Sequence, residues 1–179
     1  MSPFPSPVIR SARLDLRGYG AGDAGLVRGL LAAGAPEALP PGAPSDPDEV
    51  AGWLADGVHR LQWAGVHLMM LDRAADSIVG SIGLFHIDWE IRSAEIGYGV
   101  RGDERGKGYA SEALGAVARW ALTEGGIQRV WLTANTGNVA SLRVAGKAGF
   151  RREGTLRRAG LEDDGLHDLA VFSLLDDEL

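Results

Sequence analysis

Between Gly65 and Arg101 the chain passes through three strand-like runs, GVHLMMLDR, SIVGSIGLFHIDWE and SAEIGYGVR, separated by short turns such as DRAADS. Parallel neighbours need crossover connections of a dozen residues or more, so runs this closely spaced favour an antiparallel meander. The last run leads directly into GVRGDERGKGYASEAL, residues 99–114, where a glycine-rich stretch gives way to alanine, leucine and glutamate. Such a junction reads as a loop that cradles an anion and then becomes a helix. The helix continues through GAVARWALTEGG, with Ala110, Ala113, Leu114, Val117 and Ala121 on one face and glycines closing it.

The flanking segments complete the pattern. SARLDLRGY alternates around Leu14 and Leu16 as a first strand, and GDAGLVRGLLAAG sets Leu26, Leu30 and Leu31 at helical spacing behind Asp23 as N-cap. The Pro-rich interruption APEALPPGAPSDPDE reads as an exposed flap on the substrate side. Asp46 then caps a second helix, with Pro47 at its first position and Val50, Trp53 and Leu54 along one face. IQRVWLTAN reads as a buried strand. NVASLRVAGKAGF reads as a short helix from Asn138 to Gly149, and RREGTLR and GLHDLAVFSLL as two last strands. The order β-α-α-β-β-β-α-β-α-β-β predicts an α+β fold, a mixed, mostly antiparallel sheet of about seven strands flanked by about four helices.

Composition narrows the class. A length of 179 residues suits a single domain, expected over 1–179. Cysteine is absent, which removes thiol nucleophiles, disulfide frameworks and zinc ribbons and fits a reducing, cytoplasmic setting. A net charge of −6 argues against a nucleic-acid partner. No apolar run approaches a membrane span, and MSPFPSPVIR lacks the pattern of a secretory signal. Trp53, Trp63, Trp89 and Trp131 read as core aromatics, with Trp53 and Trp89 flanking the expected acceptor cleft.

Two familiar phosphate loops fail on spacing. A Walker A loop needs four residues between its glycines and then Lys-Ser/Thr, whereas Gly102 and Gly106 have three between them and Gly108 stands where the hydroxyl should be. A dinucleotide fingerprint needs a third glycine where Ser111 stands and an acid near Gln128, and it opens a βαβ unit rather than ending a meander. A bare glycine-rich turn before a helix is the structural alternative.

RGKGYA, Arg105 to Ala110, resembles the R/Q-x-x-G-x-G/A pattern of the GNAT superfamily of acetyl-CoA-dependent N-acetyltransferases. NTGNVASLRVAGKAGFRREG is similar to that superfamily's second motif, an N-x-x-S helix leading to K-x-G-F. ARLDLRGYGAGDAGLV, AEIGYGV and GLHDLAVFSLL resemble the branch containing ribosomal-protein N-terminal (Rim-type) acetyltransferases, so the likeness runs along nearly the whole chain. It implies a GNAT fold, acetyl-CoA as cosubstrate with no metal, an amine acceptor (a protein N-terminus or a small molecule such as an antibiotic or polyamine), and a homodimer. A non-catalytic acyl-CoA-binding module is the alternative of another class.

The physics agrees with that implication. Backbone N–H groups of Arg105, Gly106, Lys107, Gly108, Tyr109 and Ala110 at a helix N-terminus suit a pyrophosphate. The resemblance lays the pantetheine arm against the strand EIGYGV, where Gly97 and Gly99 imply close approach or a bulge, simple sheet curvature being the alternative. A backbone N–H near Gly99 or Val100 is the candidate oxyanion donor. Asn138 and, more weakly, Asn135 are candidates for the arm, with helix capping as the other role of Asn138.

The acceptor must lose a proton. A free α-amine is roughly one-seventh neutral at pH 7 and a lysine side chain under ~0.1%, deficits of about 1 and nearly 5 kcal/mol. A carboxylate acting through water therefore suffices for α-amines. Glu95 is the leading base, or else a structural carboxylate ordering the sheet; His86, Asp88 and His167 are reserves. Many GNAT enzymes carry a tyrosine on the second-motif helix as donor to the leaving thiol. This helix has none, so Ser141, at the N-x-x-S position, takes that role in the resemblance.

Overall fold

The computed structural model describes residues 7–57 and 65–179, so Trp63 and the first six residues of MSPFPSPVIR lie outside the described residues. Among the described residues eight strands form one sheet: β1 (Val8–Arg10), β2 (Leu14–Arg17), β3 (Val66–Asp72), β4 (Ser77–Asp88), β5 (Ser93–Val100), β6 (Arg129–Asn135), β7 (Arg151–Glu162) and β8 (Gly165–Leu175). Their spatial order is β1-β2-β3-β4-β5-β6-β8-β7. Every pair is antiparallel except β5–β6. The expected meander is β3–β4–β5, and β1 adds one strand to the expected seven, too short at three residues to leave an alternating signature.

Among the described residues four helices cover the sheet: α1 (Ala24–Ala32), α2 (Val50–Gly52, extended by a wider π turn over Trp53–Gly57), α3 (Tyr109–Thr123) and α4 (Val139–Lys147). Asp46 caps the turn leading to α2 through its side chain, which accepts from the Asp48 N–H. Asp23 stands at the N-cap position of α1 but makes no capping bond. Its carboxylate instead takes the Gly20 N–H and the Arg17 guanidinium.

The helices divide into two layers. Ala113, Leu114, Val117 and Ala121 of α3 are fully buried against Leu68, Met70, Ile82, Leu84 and Ile96. On the opposite face Val27, Leu30, Val50, Trp53 and Leu54 pack on Met69, Leu71 and Ile78. β3 is thus covered on both sides, which is why it reads as an unbroken apolar run rather than an alternation. Each such Leu, Val or Met contributes roughly 1.5–3 kcal/mol on burial.

The glycine-rich loop is braced from the other end of the chain. Arg13, between β1 and β2, donates from its backbone N–H and from Nε to the Glu112 carboxylate at 2.7 Å each. It also donates from its guanidinium to the Lys107 carbonyl at 3.0 Å, and the guanidinium sits 4.3 Å above the Tyr109 ring. Burial pushes the Glu112 carboxyl upward, but the Ser11 and Arg13 hydrogen bonds outweigh it and hold the group below its ordinary range.

Candidate active site

β5 and β6 pair at three rungs, Ser93 with Arg129, Ala94 with Val130 and Glu95 with Trp131, and among the described residues the pairing ends there. Beyond Glu95 the strands part, and the edge of β5 from Ile96 to Val100 faces an opening bounded by α4. An amide-rich arm can pair with such an edge as a peptide strand would.

The alternation of β5 assigns its side chains to opposite sides of the sheet. Ile96 lies in the α3 layer, with Tyr98 and Val100 packed against it. Gly97 and Gly99, facing the other way, line a cleft of ≈ 770 Å³ with Ser81, Gly83 and Phe85 of β4, under the flap Pro36–Ala43. The Pro-rich stretch is therefore a wall of this cleft. The two glycines answer to the chain itself: a Cβ on Gly97 would stand 2.8 Å from the Phe85 ring, and one on Gly99 2.8 Å from the Glu37 carbonyl oxygen.

Glu95 stands at the last rung before the strands part, and its Oε2 lies 2.7 Å from His86 Nδ1. The β4–β5 register shifts between Phe85 and Asp88, and His86 takes a positive φ of 48° inside that bulge. The irregularity brings the imidazole onto Glu95, a common use of a bulge beside a site. The Glu95 side chain is 15% exposed and that of His86 74%, so the imidazole is the solvent-facing member and also borders the cleft. Asp88 turns its carboxylate onto the Glu90 and Ile91 N–H groups, closing the β4–β5 turn. His167 lies near the β7–β8 tip, 2.6 Å from Asp164, whose carboxylate raises its pKa.

Two features escaped sequence reasoning. His67 of β3, opposite Gly83, also lines the cleft, and burial lowers its pKa, which keeps the imidazole neutral at neutral pH. Tyr98 reaches across the opening to α4, its phenol oxygen 3.0 Å from Ser141 Oγ. A tyrosine hydroxyl therefore does stand beside Ser141, supplied by a strand rather than by the helix. Its only signal in the sequence is its place between two glycines in EIGYGV.

The loop before α3 fits a pyrophosphate. Gly106 and Gly108 take φ of +79° and +88°, the left-handed region that favours glycine. A Cβ on Gly106 would meet nothing within 4 Å, so backbone dihedral rather than crowding selects glycine there. By helix geometry the first-turn N–H groups of Tyr109, Ala110 and Ser111 lack intrahelical acceptors and carry the positive end of the dipole. The cationic side chains are engaged within the loop: Lys107 pairs with Glu104 at 2.8 Å and Arg105 Nε donates to the Val100 carbonyl. The Tyr109 side chain turns inward, its hydroxyl donating to Asp72, so only its backbone faces the loop.

Asn135 and Asn138 are occupied structurally. Asn135 accepts from the Gly137 N–H and donates to Glu162, and Asn138 caps α4 by accepting from the Ser141 N–H at 3.0 Å. Among the described residues no helix is long and apolar enough to cross a membrane.

The profile of a family described as an acetyltransferase (GNAT) domain matches residues 13–151. The putative ribosomal N-acetyltransferase YdaF of Bacillus subtilis is 38% identical over 100 residues, 55% of this chain and 54% of that protein. The ribosomal-protein-serine acetyltransferase of Escherichia coli is 28% identical over 117 residues, 65% of each chain. The chain thus spans about half to two-thirds of the length of the curated relatives it matches. Among solved structures, Mycobacterium smegmatis RimJ in complex with CoA-disulfide superposes with a TM-score of 0.77 at 23% identity, covering 100% of this chain and 92% of that one, a likeness of fold.

Proposed function

The chain belongs to the GNAT acetyltransferase family, and from that premise we propose that it moves the acetyl group of acetyl-CoA directly to a primary amine, the α-amine of a protein N-terminus. The whole chain acts as one domain in this reading. The observation that carries it is the parting of β5 and β6 at Glu95. That opening leaves a strand edge for the pantetheine arm, the Gly106–Gly108 cradle for the pyrophosphate, and on the opposite face the flap-covered cleft for the amine.

Acetyl-CoA, when bound, supplies a thioester carbon open to attack. The amine nitrogen bonds to that carbon, the C–S electron pair stays on sulfur, and one proton leaves nitrogen. Glu95 and the His86 imidazole bonded to it receive that proton, directly or through water. A backbone N–H at Gly99 or Val100 stabilises the charge developing on the carbonyl oxygen, and Ser141 donates a hydrogen bond to the departing sulfur. The names of YdaF, a ribosomal N-acetyltransferase, and of the E. coli relative, a ribosomal-protein-serine acetyltransferase, support a ribosomal protein as acceptor. The proton arithmetic supports its N-terminal α-amine, since an α-amine needs only about 1 kcal/mol of help where a lysine needs nearly 5.

The test is an acetylation screen over protein N-terminal peptides, polyamines and aminoglycosides, read by thiol release and repeated with Glu95→Gln. Turnover is expected with N-terminal peptides and falls roughly 10²-fold or more in the variant, with coenzyme A affinity retained. Turnover confined to small amines transfers the acceptor to that class. Binding without turnover on any amine makes the protein an acyl-CoA-binding module.

A further inference from the structure

The Tyr98–Ser141 contact assigns a task to a side chain that the acetyl-transfer chemistry above leaves idle. Resting on that reading, we propose that Tyr98 is a positioning residue for Ser141: its phenol donates to Ser141 Oγ and directs the serine hydrogen toward the coenzyme A sulfur. Tyr98 stands three residues beyond the last β5–β6 rung, and Ser141 lies in the first turn of α4, so their contact spans the opening between the strands. The Ser141 N–H is already held by Asn138 Oδ1 at 3.0 Å, which sets the helix end and the serine backbone. What remains free is the rotation of one hydroxyl.

The direction of the bond follows from chemistry. A phenol is a better donor and a poorer acceptor than an aliphatic alcohol, so Tyr98 gives the hydrogen and Ser141 receives it. Burial raises the Tyr98 pKa, which keeps the phenol protonated through the neutral range. With one lone pair filled from Tyr98, the serine has its own hydrogen left to donate elsewhere, and the first bond strengthens the second.

The pair works by hydrogen bonding rather than by giving up a proton. An ordinary thiol has a pKa near 8.5 and a phenol near 10, so neither hydroxyl loses its proton to the sulfur outright. The C–S electron pair stays on sulfur as a thiolate that accepts from Ser141, and water protonates it on release. The amine proton goes separately to Glu95 and His86.

Tyr98→Phe removes the hydroxyl and keeps the ring packed against the α3 layer. A charge-assisted bond of the usual strength predicts that Ser141→Ala lowers kcat roughly 10- to 100-fold and Tyr98→Phe about five- to tenfold, each with KM for acetyl-CoA unchanged. In the Ser141→Ala background, Tyr98→Phe should add less than about twofold, because the two residues act as a unit. The second readout needs no turnover: the pKa of the bound coenzyme A thiol, followed by thiolate difference absorbance, lies below that of free coenzyme A in the wild type and rises toward it in both variants. A wild type that ionises the bound thiol but acetylates no amine removes the proposed function and leaves the pair standing. Thiol ionisation that is unchanged by Tyr98→Phe overturns the pair even in an active enzyme, and a wild type that binds no coenzyme A ends both.

Discussion

Replacing Gly108 by alanine tests the loop at the residue where backbone conformation meets the proposed coenzyme A recognition. Gly108 is the N-cap of α3 with φ +88° and ψ 1°, and a Cβ there would lie 3.4 Å from an Arg13 guanidinium nitrogen, a contact a flexible side chain can relieve. The expected loss is therefore conformational, about 1–2 kcal/mol for an L-residue held left-handed, offset by some 0.4–1 kcal/mol from the stiffer unfolded chain. The net destabilisation is about 0–1.6 kcal/mol, measured by chemical denaturation. If the free loop relaxes to escape the strain, coenzyme A must restore it on binding, so the affinity loss is bounded by the strain itself, roughly five- to thirtyfold by calorimetry. Gly115→Ala is the control in the same helix: its Cβ meets nothing within 4 Å and its φ is helical, so it should stabilise by ~0.5–1 kcal/mol and leave binding alone. Gly108→Ala as stable as the wild type, with unchanged affinity, would refute the left-handed cradle.

Two further outcomes follow from the packing and the charges. Leu114→Ala, at a fully buried position of α3, should cost about 2–5 kcal/mol in denaturant midpoint analysis; a loss under about 1 kcal/mol would mean that the α3 layer is loosely packed. The Arg129 guanidinium and the Ser173 hydroxyl hold the Glu153 carboxyl down to about 2, so its folded pKa lies below the ordinary 4.5. Its stabilisation is therefore present above about 4.5 and is lost as pH falls toward 2. Arg129→Met should lower stability at neutral pH and flatten the pH dependence in that window; parallel curves would show that the pair contributes nothing.

Much of the architecture was legible because local patterns and tertiary contacts demand the same thing. The meander, the α3 face, the Asp46 and Asn138 caps and the Gly149 stop follow from period and cap chemistry, which act over a few residues. β1 was invisible because three residues carry no period; its neighbours supply the pairing. Asp23 stands at the N-cap of α1 as expected, but its carboxylate makes no capping bond there, because β2 brings Arg17 within 2.7 Å of it.

The chain alone determined the loop before α3, where the coenzyme A pyrophosphate is proposed to bind, because it is built from consecutive backbone groups whose dihedrals Gly106 and Gly108 permit. Only the tertiary structure decided the rest of the site. Glu95 meets His86 through a β-bulge, Arg13 reaches Lys107 and Glu112 from across the molecule, and Tyr98 meets Ser141 across two parting strands. Contacts between residues 43 or 99 positions apart depend on sheet order and register, and no local periodicity encodes which strands will separate or where.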